Sequence, residues 1–131
     1  MIIGLGCDIV EVQRIEGLLR KGHEGFVRRV LTPSEIEEYE RRTDKAAQRG
    51  MLYLATRFAA KEAFSKAMGT GIGESFSFQD VAMLNSVSGR PVMEYSERIA
   101  QWLDSRGAAA EVSISDESTH AMATVIIFKK L

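Results

Sequence analysis

The order of apolar and polar positions divides the chain into alternating short strands and helices. Ile2 to Val10 is a short, β-branched and almost wholly apolar run, the pattern of a buried strand. Val12, Ile15, Leu18 and Leu19 then recur at helical spacing, and Gly22 marks the expected stop. Thr32-Pro33-Ser34-Glu35 is a helix start: Thr32 caps, Pro33 fits the first helical position and Glu35 completes a capping box. The short helix it opens is expected to run to about Arg42, and a long one from about Ala46 to Met68, closed by Gly69. Phe76 to Asn85 reads as a strand, Ser88-Gly89 as a turn and Val92 to Tyr95 as the returning strand. Ser96 caps a further helix ending at Gly107, and Glu111 to Ser115 with Ala121 to Phe128 read as a closing hairpin. Strands and helices in this mixture predict an α+β fold: a small antiparallel sheet packed with a long central helix.

No linker, internal repeat or low-complexity segment interrupts the pattern, and 131 residues suit one domain, expected to span 1–131. A hydrophobic fraction of 45% against 27% charged residues excludes a wholly disordered chain. The formal net charge of −1 argues against a nucleic-acid-coating protein. No apolar run approaches membrane-spanning length, so no membrane partner is expected. Cys7 is the single cysteine, so no intrachain disulfide can form; with Asp8 following at once and no basic leader, the expectation is a cytoplasmic protein. The charge is uneven. Residues 1–66 carry twelve basic and ten acidic side chains, and Arg14, Arg20, Lys21, Arg28 and Arg29 cluster against only Glu16 and Glu24. Such a cluster is either a solvated helix face or a docking patch for an acidic partner.

The long helix carries the most chemistry. Between Met51 and Lys66 its apolar residues spread almost all the way round, which marks a buried helix, yet Arg57, Lys61, Glu62 and Lys66 interrupt it. Glu62 lies about 40° from both Phe58 and Lys66 on the helix surface, so apolar side chains and one cation flank it. One reading is a structural pair of Glu62 with Lys66, with Arg57 and Lys61 solvated. The other is a phosphate-and-metal site, in which cations neutralise phosphate oxygens and a carboxylate holds Mg²⁺. Asp8 is the natural second carboxylate, because a charge inside an apolar strand needs a partner or a ligand; its alternative role is a helix N-cap.

Other features carry less. Gly4-Leu5-Gly6 lacks a third glycine, and Gly69-Thr70-Gly71-Ile72-Gly73 follows a helix where a dinucleotide loop precedes one. Cys7 reads as a buried structural thiol, and the methionines, including Met51, Met68 and Met122, as core filler. His23 and His120 match no metal-ligand spacing.

Four segments taken together, GLGCDIVEVQRIE, RFAAKEAFSKAMGTGIG, SGRP and VSISDE, closely resemble in order and spacing the holo-acyl-carrier-protein synthases, the small trimeric type of 4′-phosphopantetheinyl transferase. The resemblance covers essentially the whole chain. It implies the 4′-phosphopantetheinyl transferase fold, assembled as a homotrimer with coenzyme A in clefts between subunits. The implied reaction moves the 4′-phosphopantetheine arm of coenzyme A onto a serine of apo acyl carrier protein and leaves adenosine 3′,5′-bisphosphate. By the same resemblance Asp8 and Glu62 bind Mg²⁺, and Glu62 and Lys66 are catalytic. Lys61 and Lys66 lie near the coenzyme A phosphates, Arg57 of the same helix also binds coenzyme A, Gly89, Arg90 and Pro91 hold its nucleotide end, and Arg14 and Arg29 meet the carrier protein. Either Glu62 or a metal-bound water takes the serine proton. Many members carry histidine where this chain has Glu111 and Asp116. Readings from other classes are a Mg²⁺-dependent nucleotide phosphohydrolase and a non-catalytic trimeric binding module; the first leaves the Arg14–Arg29 cluster unexplained, and the second the carboxylates in apolar elements.

Overall fold

The computed structural model describes residues 1–131 apart from the side chain of His23, so the expectation about that histidine lies outside the described residues. The elements follow as β1 (Ile2–Glu11), α1 (Val12–Val30), α2 (Pro33–Lys45), α3 (Ala47–Met68), β2 (Val81–Asn85), β3 (Pro91–Tyr95), α4 (Glu97–Ser105), β4 (Ala108–Asp116) and β5 (His120–Lys129). The α+β architecture is the expected one. A three-stranded antiparallel sheet in the order β1-β5-β4 and a separate β2-β3 hairpin flank α3.

The main sheet reverses the usual placing of large and small residues. Its inner face, toward α3, carries Gly4, Gly6, Ala121 and Ala123, with Val125 and Ile127 further along β5; the four β5 residues are fully buried. Leu5 and Ile9 point outward and are 64% and 62% exposed, with Met122 beside Ile9 in register. Small inner residues let the helix lie close to the sheet, and α3 is accordingly buried on nearly every side from Tyr53 to Ala67. Phe58 stacks on Phe78 and Phe64 on Phe76, with ring centroids 5.5 and 5.4 Å apart.

Local chemistry sets most ends. Thr32 and Glu35 form the expected capping box, and Gly69 ends α3 with φ 84°, the left-handed conformation that glycine adopts without strain. Several boundaries move. Helix α1 passes Gly22 and reaches Val30, because Val27 and Val30 continue its buried stripe; Gln79 Nε2 then caps its end by donating to the carbonyls of Arg28 and Leu31. Helix α2 extends to Lys45. The expected strand from Phe76 opens instead as a 3₁₀ turn over Phe78–Asp80, because Ser77 and Asp80 cap each other. Asp80 also accepts from Ser96 and Arg98; burial pushes its carboxyl up, but these hydrogen bonds outweigh burial and hold it at about 2.

Two sequence expectations fail for one reason. Cys7 is exposed, and so is Met122, because both fall on the outward-pointing register of the sheet. Among the described residues no helix is long and apolar enough to cross a membrane.

Candidate active site

Backbone contact between β1 and α3 brings two carboxylates together. A Cβ on Gly6 would overlap the Ala63 carbonyl oxygen, and one on Gly4 the Ala67 carbonyl oxygen, so strand and helix touch main chain to main chain. Asp8 follows Gly6 by two residues and points to the same side, toward α3. It is not a helix cap: the residue before α1 is Glu11, and no side chain caps there. The Asp8 carboxylate accepts from Lys66 Nζ at 3.0 Å, and the same ammonium donates to the Cys7 carbonyl at 3.1 Å. Lys66 therefore reaches across to the strand rather than pairing with Glu62 one turn earlier. Its pKa is raised, first by the hydrogen bond to Asp8.

Glu62 completes the cluster. Partial burial pushes its carboxyl up, the Asp8 charge pushes it further, and Lys66 and Arg14 oppose the rise. Two carboxylates close enough to repel, beside one lysine, form a hard-oxygen site. Mg²⁺ fits it, because Mg²⁺ takes one or two protein carboxylates and fills its other positions with water and substrate phosphate. Among the described residues no third His, Cys, Asp or Glu joins the pair.

A second feature lies on the other side of α3. A cleft of about 680 Å³ is walled by α2, α3, the β2–β3 turn and β4. Arg41, Arg42, Lys45, Arg49 and Arg57 line it, with Glu38, Gly89 and Pro91. Glu38 Oε2 accepts from Arg42 Nε at 2.6 Å, and its Oε1 accepts from Arg41. Burial raises the Glu38 carboxyl, but the two guanidiniums outweigh it and hold the pKa below the ordinary value. The Arg42 guanidinium lies 4.8 Å from the Tyr53 ring centroid and that of Arg57 4.2 Å from it. Sequence reasoning missed Arg41, Arg42, Lys45 and Arg49. Their signal was the spacing of cations across the junction of α2 and α3, legible only once the two helices are known to meet at Ala46.

The expected site residues divide. Asp8, Glu62 and Lys66 are together, with Arg14 within electrostatic reach of Glu62. Arg57 borders the cleft, but its guanidinium is committed: Nε donates to the Met83 carbonyl at 3.0 Å and Nη2 to Asn85 Oδ1 at 2.6 Å. Gly89, with φ 87°, and Pro91 border the same cleft, while Arg90 turns to Glu111 at 3.3 Å. Arg29, like Arg14, forms no ion pair among the described residues, whereas Arg20 and Arg28 are paired along α1 with Glu16 and Glu24.

Lys61 is a correction. It was expected beside phosphates, but its ammonium is completely buried, donating to Glu35 at 2.5 Å, the Val30 carbonyl at 2.6 Å and the Phe78 carbonyl at 2.9 Å. Adjacent residues on a helix point about 100° apart, so Glu62 reaches the open carboxylate site while Lys61 turns into the core. Glu35 is also fully buried; its other oxygen accepts from the Met83 N–H at 2.7 Å, and Oε1 also takes the Thr32 N–H. Burial lowers the Lys61 pKa and Glu35 opposes that.

This pairing of a strand carboxylate with a helix carboxylate and lysine, on a fold of this order, defines a class. The 4′-phosphopantetheinyl transferase superfamily matches residues 4–125, and the chain belongs to it. Within that superfamily it stands with the holo-acyl-carrier-protein synthases. It is 45% identical to the holo-[acyl-carrier-protein] synthase of Herminiimonas arsenicoxydans over 99% of this chain and 100% of that one. The crystal structure of the Neisseria meningitidis holo-[acyl-carrier-protein] synthase is 39% identical and superposes with a TM-score of 0.89, covering 98% of this chain and 100% of that one. The Bacillus anthracis holo-(acyl-carrier-protein) synthase, in complex with CoA (3′,5′-ADP), is 36% identical with a TM-score of 0.82, covering 99% of each chain.

Proposed function

We propose that this chain, working as one domain over residues 1–131, transfers the 4′-phosphopantetheine arm of coenzyme A to a serine hydroxyl of apo acyl carrier protein. Adenosine 3′,5′-bisphosphate is the other product. The observation that carries this reading is the joining of Asp8, Glu62 and Lys66 through the β1–α3 contact. Asp8 and Glu62 hold Mg²⁺, which supplies charge neutralisation at the coenzyme A diphosphate oxygens when bound. Lys66 stabilises the negative charge that develops during in-line displacement at phosphorus. The serine proton leaves either to Glu62 or to water in the open carboxylate site. The basic cleft of α2 and α3 takes the phosphates at the nucleotide end, and Arg57 steadies the wall formed by Gly89, Arg90 and Pro91. The Bacillus anthracis relative in complex with CoA (3′,5′-ADP) supports coenzyme A as the co-substrate.

The enzyme is a homotrimer in this reading. Arg57 and Glu62 are five positions apart on α3, about 140° around the helix, so the cleft and the carboxylate site of one copy open on different sides. One coenzyme A meets both when the cleft of one subunit faces the carboxylates of the next. The outward Leu5, Ile9 and Met122 supply an apolar face for that contact. The single free thiol and the substrate class fit the cytoplasm.

Arg14 and Arg29, which form no ion pair among the described residues, are the docking cations for the acidic carrier protein. Charge reversal at either raises the KM for carrier protein by about tenfold and flattens its salt dependence, measured at several ionic strengths. An unchanged KM places docking elsewhere. The reaction itself is tested by intact-protein mass spectrometry with coenzyme A, Mg²⁺ and apo carrier protein, with and without chelator. A chelator-sensitive gain of one phosphopantetheine is the expected result. Breakdown of coenzyme A without that gain indicates a phosphohydrolase, and coenzyme A binding without any reaction indicates a binding module.

A further inference from the structure

The β2–β3 turn that borders the cleft is tied back to α3 through one amide side chain. Met83, in the middle of β2, pairs in register with Met93, yet its N–H goes to Glu35 and its carbonyl to Arg57. In an antiparallel strand both groups of one residue point to the same edge, so two charged side chains close an edge where a third strand would otherwise lie. The Arg57 guanidinium is thereby fixed, and Nη2 donates to Asn85 Oδ1 at 2.6 Å. Asn85 Nδ2 in turn donates to the Gly89 carbonyl at 3.0 Å. Asn85 stands opposite Pro91, two residues beyond Met83, so its own N–H and carbonyl face the same outer edge and the backbone makes no bond to β3 there; the side chain supplies the link to the turn. Within the turn, Ser86 N–H donates to the Arg90 carbonyl and Gly89 N–H to Ser86, which fixes its shape but not its place. The pair of Arg90 with Glu111 also links it to β4, but both side chains are exposed, and such pairs hold weakly.

We infer that Asn85 is a positioning residue for coenzyme A binding: its amide transmits the fixed orientation of Arg57 to Gly89 and so sets the place of the Gly89–Arg90–Pro91 wall. The inference rests on the reading that coenzyme A occupies this cleft. Only an amide satisfies both contacts, since Oδ1 must accept from a guanidinium while Nδ2 donates to a carbonyl. Aspartate keeps the first contact and loses the second; leucine loses both.

The test compares the wild-type protein with Asn85→Asp and Asn85→Leu. Asn85 is exposed, so both variants fold; Asn85→Asp melts close to wild type, and Asn85→Leu melts somewhat lower because the buried Arg57 loses an acceptor. Steady-state kinetics with coenzyme A and apo carrier protein are expected to show KM for coenzyme A raised about tenfold for Asn85→Leu and by less for Asn85→Asp. The change in kcat is smaller than that in KM, and the KM for carrier protein is unchanged. Amide hydrogen exchange over residues 86–90 speeds up in both variants. Unchanged KM for coenzyme A, with an active wild type, overturns the inference. A raised KM with unchanged exchange also overturns it, because Asn85 would then touch the nucleotide rather than hold the turn. If the wild-type protein transfers nothing, the functional reading fails by itself, and the exchange comparison decides whether Asn85 holds the turn.

Discussion

Glu62→Gln abolishes transfer, by at least about a thousandfold in kcat/KM, and at the same time raises the melting temperature of the ligand-free protein. Both effects follow from its surroundings. The carboxylate is partly buried and faces Asp8, so its pKa in the folded chain lies above the ordinary value of 4.5. A carboxyl with a raised folded pKa favours the folded state fully below the unfolded pKa, and that contribution is lost as pH rises through the folded pKa. At neutral pH the ionised Glu62 therefore strains the fold, and a neutral amide of equal size relieves it. The gain in melting temperature is present at neutral pH and vanishes when both proteins are compared below pH 4. Titration with Mg²⁺ gives the second readout: the wild-type protein gains thermal stability, and the variant does not. Asp8→Asn loses transfer to the same degree. Retained transfer in either variant at limiting Mg²⁺ rejects the carboxylate pair as the metal site, and a lower melting temperature for Glu62→Gln means that its attraction to Lys66 and Arg14 outweighs burial and Asp8.

Lys61→Met destabilises the protein by about 3–5 kcal/mol, because it leaves Glu35 as an unpaired charge with no access to water. For a chain of this size that is a fall of roughly 10–20 °C in melting temperature. Three carbonyl or carboxylate partners lose their common donor at once, and they belong to the end of α1, to α2 and to the 3₁₀ turn before β2. Glu35→Gln in the same chain removes the stranded charge and recovers part of the loss, since the two sites are coupled. Thermal melts of the two singles and the double form the cycle. A lysine that bound phosphate would behave in the opposite way: coenzyme A affinity would drop and the melting temperature would hold.

Lys61 and Glu62 show where sequence reading succeeds and where it stops. Both are charges on a helix that is apolar all round, and that pattern says they need partners. For Glu62 the partner was legible, because Asp8 sits anomalously in an apolar strand. For Lys61 it was not: Glu35 was already accounted for as a capping residue, and nothing in a linear pattern says that one carboxylate caps a helix, receives an ammonium and closes a strand edge together. The strands and helices were legible because period and capping signals are local. The extension of α1 past Gly22 was not, because buried contacts at Val27 and Val30 override a weak local stop. The basic cleft escaped for a related reason, since it exists only where α2 and α3 meet.

The glycines of β1 have a consequence for how this chain tolerates change. The spacing of the two carboxylates is set by main-chain atoms in contact, with no side chain interposed between Gly6 and α3. Exchanges among aromatic residues that take no part in that contact, such as Phe64 and Phe76, alter stability without altering that spacing. A single methyl group at Gly6 does the reverse, wedging strand from helix and widening the bite offered to a cation. The hydrophobic interior is thus free to drift under mutation, while the catalytic geometry is tied to two positions that have no side chain at all.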